Sequence, residues 1–362
     1  DIFGSRGLGD VYKRQVQPDL AETLRLIAQK GVSGFYEGEI ADKIVSAMEK
    51  NGGLISHRDL KKYRPNWRKP LKSKYRGFDV VTMGPPSSGG IHLIQMLNIL
   101  ENHNLKSFGH NNPRYVSLLT EVMKYAYADR SEYLGDPDFY KVPVDMLTSK
   151  EYSDAINQSL KLFKFMTPPP TPSSSIEPGE YMRKESIETT HYSIADQYGN
   201  IISNTYTLNS AYGSGVTIEG TGILMNNEMD DFSASPGTPN QFGLLGGEAN
   251  KIVPEKRPLS SMTPTIILKE GTPYFATGTP GGSRIITSVL QSILNIIDFE
   301  LEVSDAILKP RIHHQWYPDI LQLEKSFNSL HAETLMKKGY KVLMINPATS
   351  LQIVMMKNNF YY

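Results

Sequence analysis

Residues 186–215, SIETTHYSIADQYGNIISNTYTLNSAYGSG, carry two adjacent threonines, Thr189 and Thr190, just after a Pro/Ser run, TPPPTPSSSIEPGE. A threonine hydroxyl at its usual pKa is a poor nucleophile and needs a neighbouring base. The residue's own α-amino group can be that base, because its free pKa of about 7.7–8.0 suits proton transfer near neutral pH. Thr189 is internal, so this chemistry requires cleavage of the Glu188–Thr189 bond, and a flexible preceding segment lets the new ends separate. A threonine pair at the start of a strand also fits ordinary β propensity, and both readings stand at this point.

Other stretches pose similar pairs of readings. Residues 226–247, NNEMDDFSASPGTPNQFGLLGG, gather Glu228, Asp230 and Asp231 beside amide side chains. Such carboxylates hold a cationic amine or form a solvated acidic turn; the calcium-loop spacing D-x-[DN]-x-[DN]-G is missing. The rest of that stretch, with Pro236, Pro239 and Gly246–Gly247 around Phe242, reads as a mobile flap over a cleft or as a plain long loop. Ser260 and Ser261 in KRPLSSMTPT can donate to a carboxylate or serve a turn. Gly281 and Gly282 stand at a helix entry in TGTPGGSRIITSVL, where outward N–H groups suit an oxyanion and a Gly-Gly turn is equally ordinary. The pair in PPSSGG invites the same two readings.

His313 and His314 in RIHHQW are adjacent, so their rings diverge, and no ligand partner stands at metal spacing. No metal and no organic cofactor is expected. His191 shares a strand face with Thr189, but no G-x-S-x-G elbow supports a serine triad.

These residues need elements to hold them. From Asp19 to about Gln158 the pattern is mostly helical. DLAETLRLIAQKG has Asp19 as N-cap and Gly31 as stop, and GEIADKIVSAMEKNGG ends on a glycine pair. SHRDLKKYR is a short capped helix, YRGFDVVTM a strand, and SSGGIHLIQMLNILENHN and NPRYVSLLTEVMKYAYADRSEYLG long amphipathic helices. Tyr125, Tyr127 and Tyr133 read as packing. Residues 167–180 form a linker. After it the period changes to two. TTHYSIADQYGNIISNTYTL is a hairpin turning at Asp196–Asn200, GTGILMNN a strand, and TPTIILKEGTPYFATGT a hairpin turning at Lys269–Thr272. Two helices follow, GGSRIITSVLQSILNIIDF and EVSDAILKPRIHH, then strands ILQLEK, YKVLMI and LQIVMM around a helix at 330–338. Runs of helices, hairpins and helices predict an α+β layering with antiparallel sheets, not a doubly wound parallel sheet. No nucleotide-binding glycine motif is present.

Composition narrows the function classes. The 362 residues suit one large unit or two smaller ones, and 38 Lys plus Arg balance 38 Asp plus Glu. That balance supplies no basic field for nucleic acid or an anionic membrane. Zero cysteines exclude disulfides and thiol catalysis, and no apolar run is long enough for a bilayer span. Residues 1–18 are expected to be a non-native or disordered leader, starting with the pattern-free DIFGSRGLGDVYKRQ.

The ordered set TTHYS, DQYGN, TYTLN, GILMNNEMDDFS, KRPLSSMTPTI, GTPGGSRI and PRIHHQW resembles the small subunit of γ-glutamyltransferases (γ-glutamyltranspeptidases). FYEGEIADKIV, NGGLISHRDL, PPSSGGIHLIQMLNIL and KYAYADRSEYLGDPDF are similar to the C-terminal half of that family's large subunit, and the likeness runs from about residue 19 to about 356. It implies an N-terminal nucleophile hydrolase with a four-layer αββα sandwich of two stacked antiparallel sheets, incomplete in this chain. Residues 19–188 would be large-subunit sequence and 189–362 the small subunit.

By the same resemblance, Thr189 is the nucleophile released by self-cleavage, Thr207 its hydrogen-bonding second threonine, and Gly281 and Gly282 the oxyanion hole. Asn209, Glu228 and Asp231 would hold the substrate's α-amino end, Ser260 and Ser261 its α-carboxylate, and residues 236–247 would be the lid. The implied activity is γ-glutamyl transfer or hydrolysis on glutathione-like amides, with an amino acid, peptide or water as acceptor. A cephalosporin-type acylase, a poly-γ-glutamate hydrolase or a binding-only relative are the alternatives. The cleaved pieces would stay associated, with no nucleic-acid partner and a periplasmic or extracellular location. The family's carboxylate-binding arginine and its closing segment are expected outside this chain.

Overall fold

The computed structural model describes residues 16–161, 189–235, 237–357 and 360–361. The linker at 167–180, Glu188 and Pro236 lie outside them. Helices α1 (Pro18–Lys30), α2 (Ser33–Tyr36), α3 (Gly38–Asn51) and α4 (His57–Lys62) come first. Next are β1 (Leu71–Tyr75), β2 (Phe78–Thr82), α5 (Gly89–Leu100), α6 (Pro113–Tyr133), α7 (Val144–Leu147) and α8 (Lys150–Leu160). The hairpin β3 (Thr189–Ala195) and β4 (Ile201–Thr207) leads to the two-residue strands β5 (Thr217–Ile218) and β6 (Ile223–Leu224). Then follow β7 (Thr265–Lys269), β8 (Thr272–Gly278), α9 (Arg284–Ile297), α10 (Val303–Leu308), β9 (Ile312–His313) and β10 (Leu321–Glu324). The path ends with α11 (Ser329–Lys337), β11 (Val342–Ile345), β12 (Gln352–Lys357) and β13 (Phe360–Tyr361).

These elements form two compact units. One comprises the chain up to Trp67 together with Tyr212–Asn226; the other comprises Arg68–Ala211 and Asn227–Tyr362. In the first unit α3 buries Ile40, Ala41, Ile44 and Val45 beside Ile218 of β5. Helix α4 opens with a reciprocal capping box, in which the Ser56 N–H donates to Asp59 and the Asp59 N–H to the Ser56 hydroxyl. Helix α1 starts with Pro18 at its first turn, so Asp19 lies inside the helix and is not its cap.

The second unit is built on a six-stranded sheet, ordered β1-β2-β7-β8-β12-β13, whose neighbours all run antiparallel. Strand alternation divides its faces. On β8, Phe275 enters the main core and Thr277 meets Ser292 of α9 through their hydroxyls, while Gly278 faces the β3–β4 hairpin. The hairpin therefore lies on the side opposite the helices. Ser203 stitches it down, accepting from the Thr265 N–H and donating to the Thr277 carbonyl, each at 3.1 Å. Helices α5, α6 and α9 supply most of the core through residues such as Leu97, Leu119, Val122, Val289 and Ile293.

The fold is thus an α+β sandwich of helices, sheet and second sheet layer, as the change of period predicts. The outer face of the hairpin is uncovered: Tyr192, Ile194, Ile202 and Tyr206 are 42%, 51%, 53% and 55% exposed. Among the described residues no helix is long and apolar enough to cross a membrane.

Several elements depart from the sequence reading. Helix α5 is not amphipathic in use, because all of its residues are buried. Its evenly spaced polar residues make internal bonds: His92 to Gln95, Gln95 to Asp129, and Asn98 to the Thr148 carbonyl. Strand β1 was not expected, since LKSKY lacks β-branched residues, yet it pairs fully with β2. The helix expected through RIHH stops at Leu308, and Ile312–His313 is a strand beside β10. Gln291 of α9 holds that strand, with its amide donating to the Ile312 carbonyl and accepting from the Ile312 N–H. The β10–β11 pair is parallel, against the antiparallel expectation.

Candidate active site

The hairpin register sets Thr189 directly opposite Thr207, and the Thr189 hydroxyl donates to the Thr207 hydroxyl at 3.3 Å. The Thr207 oxygen also accepts from the Asn209 N–H at 2.8 Å. Asn209 is buried in a left-handed conformation (φ 73°), which turns the chain out of the strand, and its amide donates to the Asn227 carbonyl at 3.3 Å. Asparagine tolerates that conformation better than most residues. Asn227 immediately precedes the turn Glu228–Asp231, so the threonine pair and the acidic turn form one connected group.

His191 is not the base of a triad. Its ring nitrogens meet the hydroxyls of Thr205 and Ser193 at 2.7 and 3.1 Å, and burial pushes its pKa down to about 4. The ring lies flat against β8, where a Cβ at Gly278 would fall 2.1 Å from it. It therefore packs β3 onto the sheet as a neutral imidazole.

The acidic turn separates its carboxylates. Asp230 accepts from the Gln241 N–H at 3.0 Å and so anchors the following loop. Glu228 and Asp231 hydrogen-bond to each other. Burial, and then the charge of Glu228, raises the Asp231 pKa well above the carboxylate range, and burial raises that of Glu228. Arg130 opposes the shift of Asp231. This arginine is fully enclosed at the end of α6, donating to the Ser88 hydroxyl at 3.2 Å and the Ser261 hydroxyl at 3.3 Å. Arg130 was missed by sequence reasoning. Its only signal was a cation one turn before a helix end, and such cations usually point to solvent.

Ser260 and Ser261 are held by the segment before α5. The Ser260 N–H donates to the Pro86 carbonyl, and the Ser88 N–H and hydroxyl both donate to the Ser260 carbonyl. Gly89 and Gly90 press against Met262 and Met83 backbone, so the glycine pair of PPSSGG has a packing role.

Gly281 and Gly282 both have positive φ, 141° and 55°, and form the turn into α9. Among the described residues neither N–H has an acceptor. That is the state an oxyanion site needs before its ligand arrives. A Cβ at Gly282 would lie 3.1 Å from the Phe242 ring. Phe242, Leu244 and Leu245 are buried, so the second half of the loop is anchored and not a free flap, while exposure is confined to its start. The hydrophobic residues dictate this, because a loop with three large apolar side chains buries them when a core edge is near.

His313 and His314 have both ring nitrogens engaged, His313 with Thr287 and Gln315, His314 with Asp319 and the Trp316 N–H. Among the described residues no three His, Cys, Asp or Glu side chains lie close enough to hold a metal ion.

A family model described as Gamma-glutamyltranspeptidase matches residues 5–362. The chain is 50% identical over 340 residues to the glutathione hydrolase proenzyme of Escherichia coli (strain K12), covering 94% of this chain and 58% of that protein. It is 43% identical over 361 residues to the glutathione hydrolase proenzyme of Pseudomonas sp. (strain A14), covering 96% and 62%. Its fold is similar to the crystal structure of cephalosporin acylase from Bacillus halodurans, with a TM-score of 0.77 at 28% identity, over 94% of this chain and 58% of that one. The chain thus spans about three-fifths of the length of the relatives it matches.

Proposed function

The chain belongs to the γ-glutamyltranspeptidase family, and from that premise we propose that it carries the catalytic centre of an autoprocessing γ-glutamyl transferase and glutathione hydrolase. The observation that carries this reading is the Thr189 hydroxyl hydrogen-bonded to that of Thr207 at the first residue of a strand.

In this reading the Glu188–Thr189 bond breaks and the freed α-amino group becomes the base. It takes the proton of the Thr189 hydroxyl, whose oxygen attacks the γ-carbonyl of the substrate. The developing oxyanion is held by the Gly281 and Gly282 N–H groups. Collapse expels the amine, which takes the proton now held by the α-amino group, and leaves a γ-glutamyl ester on Thr189, which water or an acceptor amine then cleaves. Asn209, Glu228 and Asp231 accept from the substrate ammonium. Ser260 and Ser261 donate to its carboxylate, with Arg130 behind Ser261 adding positive charge. Clamping both charged ends leaves the γ-amide as the group that reaches Thr189.

The proposed cut divides residues 19–188 from 189–362, and the two pieces are proposed to stay together. Strand β2, from the first piece, pairs from Asp79 to Thr82 with β7 of the second. We place the mature protein in the periplasm or outside the cell, on family grounds.

Turnover of γ-glutamyl-p-nitroanilide by the full-length protein, accelerated by glycylglycine, tests this function. The second reading, an amidase like the cephalosporin acylase, draws on the fold similarity. The carboxyl pair and paired serines favour the glutamyl zwitterion. Glutaryl-p-nitroanilide, which keeps the carboxylate of the head but lacks its α-ammonium, is expected to react at least about a hundredfold more slowly. Equal rates would favour the acylase reading.

A pH effect follows from the acidic turn. The ammonium needs ionised carboxylates, so kcat/KM falls as pH drops through their raised pKa values. Glu228→Gln removes a neighbour that raises the Asp231 pKa, so the acid limb of kcat/KM is expected to move to lower pH. An unmoved or alkaline-shifted limb would show that this pair does not control binding.

A further inference from the structure

We propose that Gln315 is a positioning residue that locks the loop bearing Phe242 and the turn bearing Gly281–Gly282 into a single unit. The proposal rests on the reading of that turn as the oxyanion site. Gln315 follows β9 and is buried. Its side-chain nitrogen donates to the Phe242 carbonyl at 2.9 Å. A carbonyl only accepts, so the amide orientation is fixed by this contact.

The Gln315 oxygen then faces two groups that must donate to it, the Ser283 hydroxyl at 2.7 Å and His313 Nε2 at 2.9 Å. Ser283 is the residue directly after the glycine pair. With its proton on Nε2, neutral His313 accepts at Nδ1 from the Thr287 hydroxyl, 2.9 Å away and one turn along α9. Burial holds the His313 pKa well below its ordinary value, which keeps this tautomer uncharged. Tyr127 of α6 donates to the Ser283 carbonyl and fixes the turn from the other side.

The loop and turn also touch directly through the Phe242 ring and Gly282. The loop backbone runs close to the amide as well, since a Cβ at Gly243 would lie 3.2 Å from Gln315 Nε2. A buried fork whose nitrogen and oxygen are both engaged in this way has one favoured arrangement. Because the fork bonds the loop at one end and the turn at the other, a displaced loop pulls the amide from Ser283. A loosened turn likewise frees the Phe242 carbonyl. Oxyanion donors need placement within about 0.5 Å, a tolerance that such a brace can hold.

The test compares Gln315→Met and Gln315→Glu in the full-length protein, by amide hydrogen exchange and by kcat and KM on γ-glutamyl-p-nitroanilide. Gln315→Met keeps the volume and loses both hydrogen-bonding ends. Exchange at 240–245 is expected to rise about tenfold or more while α5 and β7 keep their protection, and kcat is expected to fall at least severalfold. Gln315→Glu can donate to the Phe242 carbonyl only when protonated. Its loop protection and kcat should therefore return toward wild type as pH falls. Unchanged exchange at 240–245 in Gln315→Met would overturn the proposal. So would an equal rise in the loop, α5 and β7, which is the mark of general core damage. If the wild-type protein turns over no γ-glutamyl substrate, the functional reading fails, and the exchange data still decide whether the brace exists.

Discussion

Thr189→Ala in the full-length protein is expected to give one uncut band on a denaturing gel and to lose turnover by roughly 10⁴-fold or more, as for removal of other catalytic nucleophiles. The same oxygen is asked to do two things, to open the Glu188–Thr189 bond and to accept the γ-glutamyl group. Losing it removes both functions together. The fold should survive, because the partly buried hydroxyl makes one hydrogen bond, to Thr207, worth about 1 kcal/mol. A near-wild-type melting temperature with no cleavage would therefore separate chemistry from stability. Thr189→Ser keeps the oxygen and loses only the methyl, so it is expected to cleave, more slowly. Continued cutting in Thr189→Ala would exclude this residue as the agent of processing.

The second large effect is expected at the glycine pair. Gly282→Ala places a Cβ at φ 55°, 3.1 Å from the Phe242 ring, and Gly281→Ala places one 2.5 Å from Thr349 and 3.0 Å from the Ala348 carbonyl. Either change turns the N–H donors away from the carbonyl they would polarise. Loss of one such donor costs about 10²–10³ in kcat, with KM little altered. At Gly281 part of the damage is steric and repairable. Thr349→Ser removes the methyl that the new Cβ would strike and keeps the hydroxyl that accepts from Ser288. Adding it to Gly281→Ala should recover part of the lost rate. A kcat within about twofold of wild type in both single variants would remove this turn from the mechanism.

Much of the frame was legible because the signals were local. The β3–β4 hairpin declares itself through alternation and the Asp196–Asn200 turn, where Asp196 accepts from the Tyr198 and Asn200 N–H groups. The capping box of α4 and the glycine stops of α1 and α3 are likewise written into neighbouring residues. What escaped depends on partners far along the chain. The polar stripe of α5 looked solvent-facing because Asp129 and the Thr148 carbonyl, which satisfy it, are more than thirty residues away. RIHH looked helical because Gln291 and β10, which hold it as a strand, cannot be seen locally. In the candidate site, the residue types of Thr189 and Asp231 allowed chemistry beside an ordinary reading, and the order of the motifs carried the family resemblance, through which Thr207 was reached. Arg130 and Gln315 did not stand out, since each matters only through contacts that folding creates.

The central claim is that Thr189 is a masked N-terminal nucleophile. N-terminal sequencing of the smaller fragment of the mature full-length protein tests it most directly. The expected result is Thr-Thr-His-Tyr, beginning at Thr189. A fragment beginning at any other residue, or an active protein that remains one uncut chain, would contradict it.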